Sequence, residues 1–140
     1  MGLTVTVTGA TGDFGVPLLR RLDAEPAVER ITAVARGAFD PAAAGLTKVR
    51  FLAGDVLDPE LVGRSVAGAD VVVHLAFLIF GERARTRRIN LEGCDNVFRA
   101  AVAAGAKRIV YASSAAVSAS KTIFPDAAPG DAFRPRAATS

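Results

Sequence analysis

Three glycines, Gly9, Gly12 and Gly15, recur at a spacing of three in the run Thr8-Gly9-Ala10-Thr11-Gly12-Asp13-Phe14-Gly15. A β-branched stretch, Leu3 to Thr8, leads into them, and a helical apolar pattern follows. In that setting each glycine has a separate task. Gly9 permits a tight turn, Gly12 lets the backbone approach a pyrophosphate with no Cβ in the way, and Gly15 lets the helix pack close to the strand. The start of the helix adds free N–H groups and the positive end of its dipole. The chemistry implied is the binding of a dinucleotide through its phosphates, with Thr11, Asp13 and Phe14 carried in the same loop. A second position refines the ligand. An acid at the end of the second strand would hold a ribose 2′-hydroxyl, but Ala35 stands there, followed by Arg36. A guanidinium suits a 2′-phosphate, so NADP is favoured over NAD. Asp40 lies further on, in an Ala/Pro/Gly stretch, and is a poor substitute for the missing acid.

Other reactive side chains carry less. His74 is the single histidine, with no Cys/His cluster around it, so no metal site is expected. Cys94 is the single cysteine; an internal disulfide is impossible, and a small buried hydrophobe is expected. Arg83, Arg85, Arg87 and Arg88 form the densest basic run. No aromatic residues interleave with them as a single-strand-binding groove requires, so they read as the solvated start of a helix rather than a nucleic-acid surface.

The elements that must position these residues follow from periodicity. Leu3 to Thr8, Arg30 to Ala35, Lys48 to Ala53, Asp70 to Leu75 and Arg108 to Ala112 read as strands. Asp13 to Ala24 reads as a helix with Pro17 in its first turn. Pro59 to Val66 reads as a short helix capped by Asp58. Glu82 to Ala104 reads as one long helix, its apolar residues spaced by three and four, closed by Gly105. Strands apolar on both faces need cover on both sides. The expected fold class is therefore α/β, a three-layer doubly wound parallel sheet of order 3-2-1-4-5, with a ligand crevice between the first and fourth strands.

Five segments in order resemble one family. Thr8 to Gly15 has the spacing TGxxGxxG; Gly54-Asp55-Val56-Leu57-Asp58 resembles GDxxD; Asp70 to Ala76 resembles DVVxHLAA, with Phe77 in place of the usual final alanine; Asn90-Leu91-Glu92-Gly93 resembles NxxG; and Tyr111 to Val117 resembles YxSSxxV. Together they resemble the extended short-chain dehydrogenase/reductases of the NAD-dependent epimerase/dehydratase family, over Thr4 to about Val117. The resemblance implies a Rossmann-type fold. It implies that Asp55 contacts the adenine ring, with Val56 beside it, and that Leu75, Ala76 and Phe77 line the coenzyme. It also implies two catalytic residues. Ser114 would hydrogen-bond the substrate oxygen, and Asn90 would hold a water in a proton relay. His74 is structural in the family.

The family's general acid is a Tyr with a Lys four residues later, and these 140 residues lack that pair: Tyr111 is the only tyrosine and Ala115 follows it at four. The expected organisation is a coenzyme-binding domain over residues 1–117 and a loop with Pro125, Pro129 and Pro135 over 118–140, cut before the substrate-binding part. In complete form the expected activity is that of an oxidoreductase or epimerase/dehydratase on a nucleotide sugar or similar hydroxy/keto substrate. The alternatives are a non-catalytic, redox-sensing NADP-binding module or an inert fragment. The chain carries 51% hydrophobic residues and a net charge of +3. No run reaches the roughly 18 apolar residues of a membrane helix. A cytoplasmic location, no nucleic-acid or membrane partner, and a homo-oligomer are expected.

Overall fold

Short valine-rich runs separated by glycine turns and helices cannot pair as hairpins, and they fold into parallel strands joined by crossovers. The computed structural model describes residues 2–112. Its sheet holds β1 (Leu3–Thr8), β2 (Val28–Ala35), β3 (Val49–Ala53), β4 (Val71–His74) and β5 (Arg108–Tyr111). All neighbours are parallel and the order is β3-β2-β1-β4-β5, as expected from the sequence. The helices are α1 (Gly15–Ala24), α2 (Pro59–Val66), α3 (Arg83–Arg88) and α4 (Cys94–Ala103). The expected boundary at 117/118 and the loop beyond it lie outside the described residues.

The period-2 alternation of the strands builds two cores, one on each face. Val5, Val7, Ile31, Ala33 and Val73 meet Leu19 of α1 on one side. On the other, Val72 meets Val62 and Val66 of α2 and Val97 and Ala101 of α4. Adjacent Val72 and Val73 thus serve opposite layers, which is why β4 is apolar throughout. Burying one such side chain contributes roughly 1.5–3 kcal/mol.

Local signals set the ends. Asp58 accepts from the N–H groups of Glu60 and Leu61, capping α2 where Pro59 begins it. Asp70 accepts from Thr4 N–H at 2.9 Å, and its carboxyl is held below the usual carboxylate range by that bond and by Lys107. Gly105 ends α4 with φ +73°. The long helix expected over 82–104 is not continuous. A π-helical segment, Ile89–Gly93, separates α3 from α4. Gly93 packs there directly on Val56: a Cβ at 93 would come within 2.6 Å of Val56 Cγ2. The expected helix start at Asp13 also moves, to Gly15, because residues 11–14 form turns.

Polar side chains of β1 face the α2/α4 layer and are satisfied within it. Thr6 Oγ1 donates to the carbonyl of Ser65 at 2.7 Å. Thr8 Oγ1 and His74 Nδ1 share a bond of 2.6 Å. His74 is wholly buried, stacked on Tyr111 with ring centroids 5.7 Å apart and edge-on to Phe98. Its Nε2 has no partner among the described residues.

Burial pushes the His74 pKa down to about 4. The folded protein therefore holds a neutral imidazole, while the unfolded chain takes up a proton below about pH 6.5. Stability should fall by about 3 kcal/mol as pH drops from about 6.5 to about 4, and this group should have no effect above that window. In His74→Gln this part of the pH dependence should vanish, as urea midpoints measured across the window will show; an unchanged slope would place the acid sensitivity elsewhere.

Candidate functional site

At the carboxyl ends of β1, β2 and β4 the strands diverge and leave a cleft of about 280 Å³. Gly9, Thr11 and Gly12 form one wall. Arg36, directly after β2, and Asp55 and Val56, after β3, form the second. Leu75, Ala76 and Phe77, after β4, form the third. The motif segments expected to share a ligand are therefore brought together by the topology. Asp13 and Phe14 lie exposed on the loop and Gly15 is buried beneath it, none of them lining the cleft. Ser114 lies outside the described residues.

The glycines differ in why they are needed. Gly9 sits at φ +68°, and a Cβ there would come within 2.6 Å of the Ala76 backbone nitrogen. Gly15 is pressed on the backbone of Ala10 and Gly9, with no room for a side chain. Gly12 is the exception. Its φ is not positive, and an added Cβ would meet only the Gly9 carbonyl oxygen, at an ordinary 3.4 Å. The fold itself does not demand glycine at 12. Gly12 lines the cleft, and nothing else lies within 4 Å of an added Cβ. The N–H groups of Thr11, Asp13 and Phe14 take no partner among the described residues. The loop thus fits an anion between Gly12 and the start of α1.

Across the cleft, Arg36 is exposed and has no ion pair among the described residues. Asp55 uses Oδ1 to accept from Leu57 N–H at 3.0 Å, which fixes the turn and leaves Oδ2 open. Two asparagines hold the walls, Asn90 within the π segment and Asn96 in α4 just after it. Asn90 spends both ends of its amide on one residue: Oδ1 accepts from Leu78 N–H and Nδ2 donates to the Leu78 carbonyl, each at 2.8 Å. Asn96 Nδ2 donates to the Val56 carbonyl at 2.9 Å.

Sequence reading missed four cleft residues that carry no distinctive chemistry, Val34, Gly37, Leu78 and Ile89, and saw Ala35 only as the absence of an acid and Gly54 only as part of a motif. It also missed Asn96, whose role depends on a contact 40 positions away. Tyr111 is 43% exposed on β5, the outermost strand among the described residues. Partial burial, and then the neighbouring Cys94, raise its pKa. That is opposite to what a proton-donating phenol near neutral pH requires. Cys94 is half-buried, less enclosed than expected, and burial raises its thiol too. Among the described residues no cluster of His, Cys, Asp or Glu could hold a metal ion, and no helix is long and apolar enough to cross a membrane.

Comparison with known proteins gives this arrangement a context. The chain matches the NAD dependent epimerase/dehydratase family over residues 5–138. It is 35% identical over 115 residues to a 2-alkyl-3-oxoalkanoate reductase of Shewanella oneidensis, covering 80% of this chain and 28% of that protein. It is 37% identical over 116 residues to a ceramide reductase of Caulobacter vibrioides, covering 80% and 35%. Among solved structures, a mutant uronate dehydrogenase of Agrobacterium tumefaciens complexed with NAD superposes with a TM-score of 0.72 and 31% identity, over 82% of this chain and 42% of that one. The chain spans from 12% to 35% of the length of the curated relatives it matches. A nicotinamide dinucleotide site on a parallel α/β sheet, five motifs in family order and a match across most of the sequence agree: the chain belongs to the NAD-dependent epimerase/dehydratase family.

Proposed function

We propose that this chain binds NADP(H) in preference to NAD(H), as the coenzyme-binding part of an oxidoreductase acting on a nucleotide sugar or similar hydroxy/keto substrate. The observation that carries the reading is the open space at Gly12, which the fold does not require, facing Arg36 across one cleft. The coenzyme, when bound, supplies or accepts hydride. The Gly9–Gly12 turn takes its pyrophosphate, Asp55 and Val56 its adenine end, and Leu75, Ala76 and Phe77 the remaining wall. Relatives named as reductases and dehydrogenases support the redox reading. Ser114 is assigned to hydrogen-bonding the substrate oxygen. Asn90 fixes the loop at Leu78, and the free lone pair of its Oδ1 is left for the relay water.

The proposal extends to self-association. Among the described residues β5 pairs on one side only, and Val110 on it, Leu91 of the π segment and Val102 of α4 are exposed. A homo-oligomer would cover them; a monomer by light scattering at high concentration would refute this part.

Calorimetric titration of both coenzymes tests the main reading. A charge-assisted contact to a 2′-phosphate contributes roughly 1.5–3 kcal/mol, so NADP(H) should bind on the order of 10- to 150-fold more tightly. Arg36→Ala should erase the difference, and equal affinities in the unaltered chain would sink the assignment. Gly12→Val should abolish binding of either coenzyme while circular dichroism stays unchanged, because its branches fill the cleft and disturb no backbone. Residues 1–140 alone should show no turnover by absorbance at 340 nm on hydroxy or keto compounds, since positioned acid/base catalysis of typically 10²–10⁴-fold has no donor here. Turnover lost in Ser114→Ala would overturn that expectation.

A further inference from the structure

One peptide in the cleft wall is held at both ends. The peptide between Val56 and Leu57 has its carbonyl on Asn96, whose Nδ2 donates to it at 2.9 Å, and its N–H on Asp55, whose Oδ1 accepts from Leu57 at 3.0 Å. A peptide is planar and turns as a unit, so a bond at one end restricts the other. Asn96 lies three residues after Gly93, on the same face of the helix, and both meet Val56. Asn96 does so by this hydrogen bond and Gly93 by close packing. The Val56 side chain is thereby enclosed in the α2/α4 core, and the residue is only 5% exposed. What Val56 brings to the cleft is main chain. Its N–H takes no partner among the described residues, and neither does Asp55 Oδ2.

Asp55 and Val56 both line the cleft, and together they offer an acceptor and a donor on adjacent residues. The edge of adenine carries the complement, an exocyclic amino group that donates beside a ring nitrogen that accepts. Hypoxanthine carries the reverse, a carbonyl beside a ring N–H. Telling the two apart requires a carboxylate of fixed orientation. We propose that Asn96 is the positioning residue for this discrimination. By holding the Val56 carbonyl it fixes the peptide on which the Asp55 carboxylate is anchored, and so keeps Oδ2 available to the amino group of adenine. Asn96 does not itself line the cleft; it acts through Val56 and Asp55. The proposal rests on the reading of Asp55 and Val56 as the adenine end of a coenzyme site. Without Asn96 the carbonyl loses its partner, the peptide is free to turn, and the carboxylate anchored on it turns with it.

The test is base discrimination, measured by calorimetry with NADP and its hypoxanthine counterpart. Both carry the same phosphates, so the ratio of their affinities is independent of Arg36. The unaltered chain should favour NADP by about tenfold or more, as expected for one charge-assisted bond that adenine alone makes. In Asn96→Ala the ratio should fall to about threefold or less, and it should fall as far in Asn96→Asp, which keeps the shape but lacks the donor. Ser65→Ala is the control for lost stability. It removes a bond of 2.7 Å to the Val62 carbonyl within α2, and Ser65 does not line the cleft. Its ratio should match that of the unaltered chain. Asp55→Asn exchanges an acceptor for a donor and should turn the preference towards hypoxanthine. If Asp55→Asn shifts the ratio and Asn96→Ala does not, the positioning role fails and the adenine reading stands. If Asp55→Asn leaves the ratio unmoved, both fail, and binding of neither dinucleotide would have the same result. A fall shared by Asn96→Ala and Ser65→Ala would trace the effect to lost stability and overturn the proposal.

Discussion

At the end of β1 backbone lies against backbone. Gly9 turns with its Cα facing the Leu75–Ala76 peptide, and Gly15 rests on the carbonyls of Gly9 and Ala10. No side chain fits at either contact, so the turn, the first residue of α1 and the exit of β4 are locked at a separation that only glycine allows. The cleft exists because of that approach. It lets α1 start close beneath the turn with its N-terminus beside the cleft, and it sets the distance between the first and third walls. Gly12, between the two, is left free of the packing and lines the cleft.

The other walls are held by hydrogen bonds rather than by close packing. The loop after β4 hangs on Asn90, and the loop after β3 hangs on Asn96 and on the fit of Val56 against Gly93. Asn90 lies within the π-helical segment and Asn96 in the first turn of α4 just after it, so this stretch of helix fixes two sides of the site. Each bond is a modest contribution, roughly 1 kcal/mol net. Their value lies in restricting loops that have few buried apolar contacts of their own.

Beneath the site, His74 joins the sheet to the aromatic cluster of Phe98 and Tyr111. Its bond to Thr8 ties the last residues of β1 and β4 together, immediately before the two loops that diverge. Keeping the ring neutral lets a polar group sit in the core without a counter-charge. The single histidine of the chain is thereby a structural group and not a proton donor to the cleft.

Much of this was legible in the sequence, for a physical reason. The β-branched runs, the glycine spacing and the Asp58-Pro59 start of α2 are local signals, each decided by a few neighbouring residues, and they determine five strands, their parallel order and the segments that line the cleft. Ala35 in place of an acid, followed by Arg36, is likewise read without coordinates. Contacts between distant positions were not legible. The periodicity of Glu82 to Ala104 fits one continuous helix; the π segment arises because Gly93 must reach Val56 and Asn90 must reach Leu78. Apolar character alone gave no sign that Phe77 and Leu78 turn inward while Ile79 and Phe80 stay outside. The motif assigned Gly9 and Gly15 to the fold and Gly12 to a ligand, but spacing carries no information on the difference between a Cβ at 9 or 15, pressed on backbone, and one at 12, which meets little. That distinction is made by the strands and loops that close around the turn, and only the tertiary structure contains them.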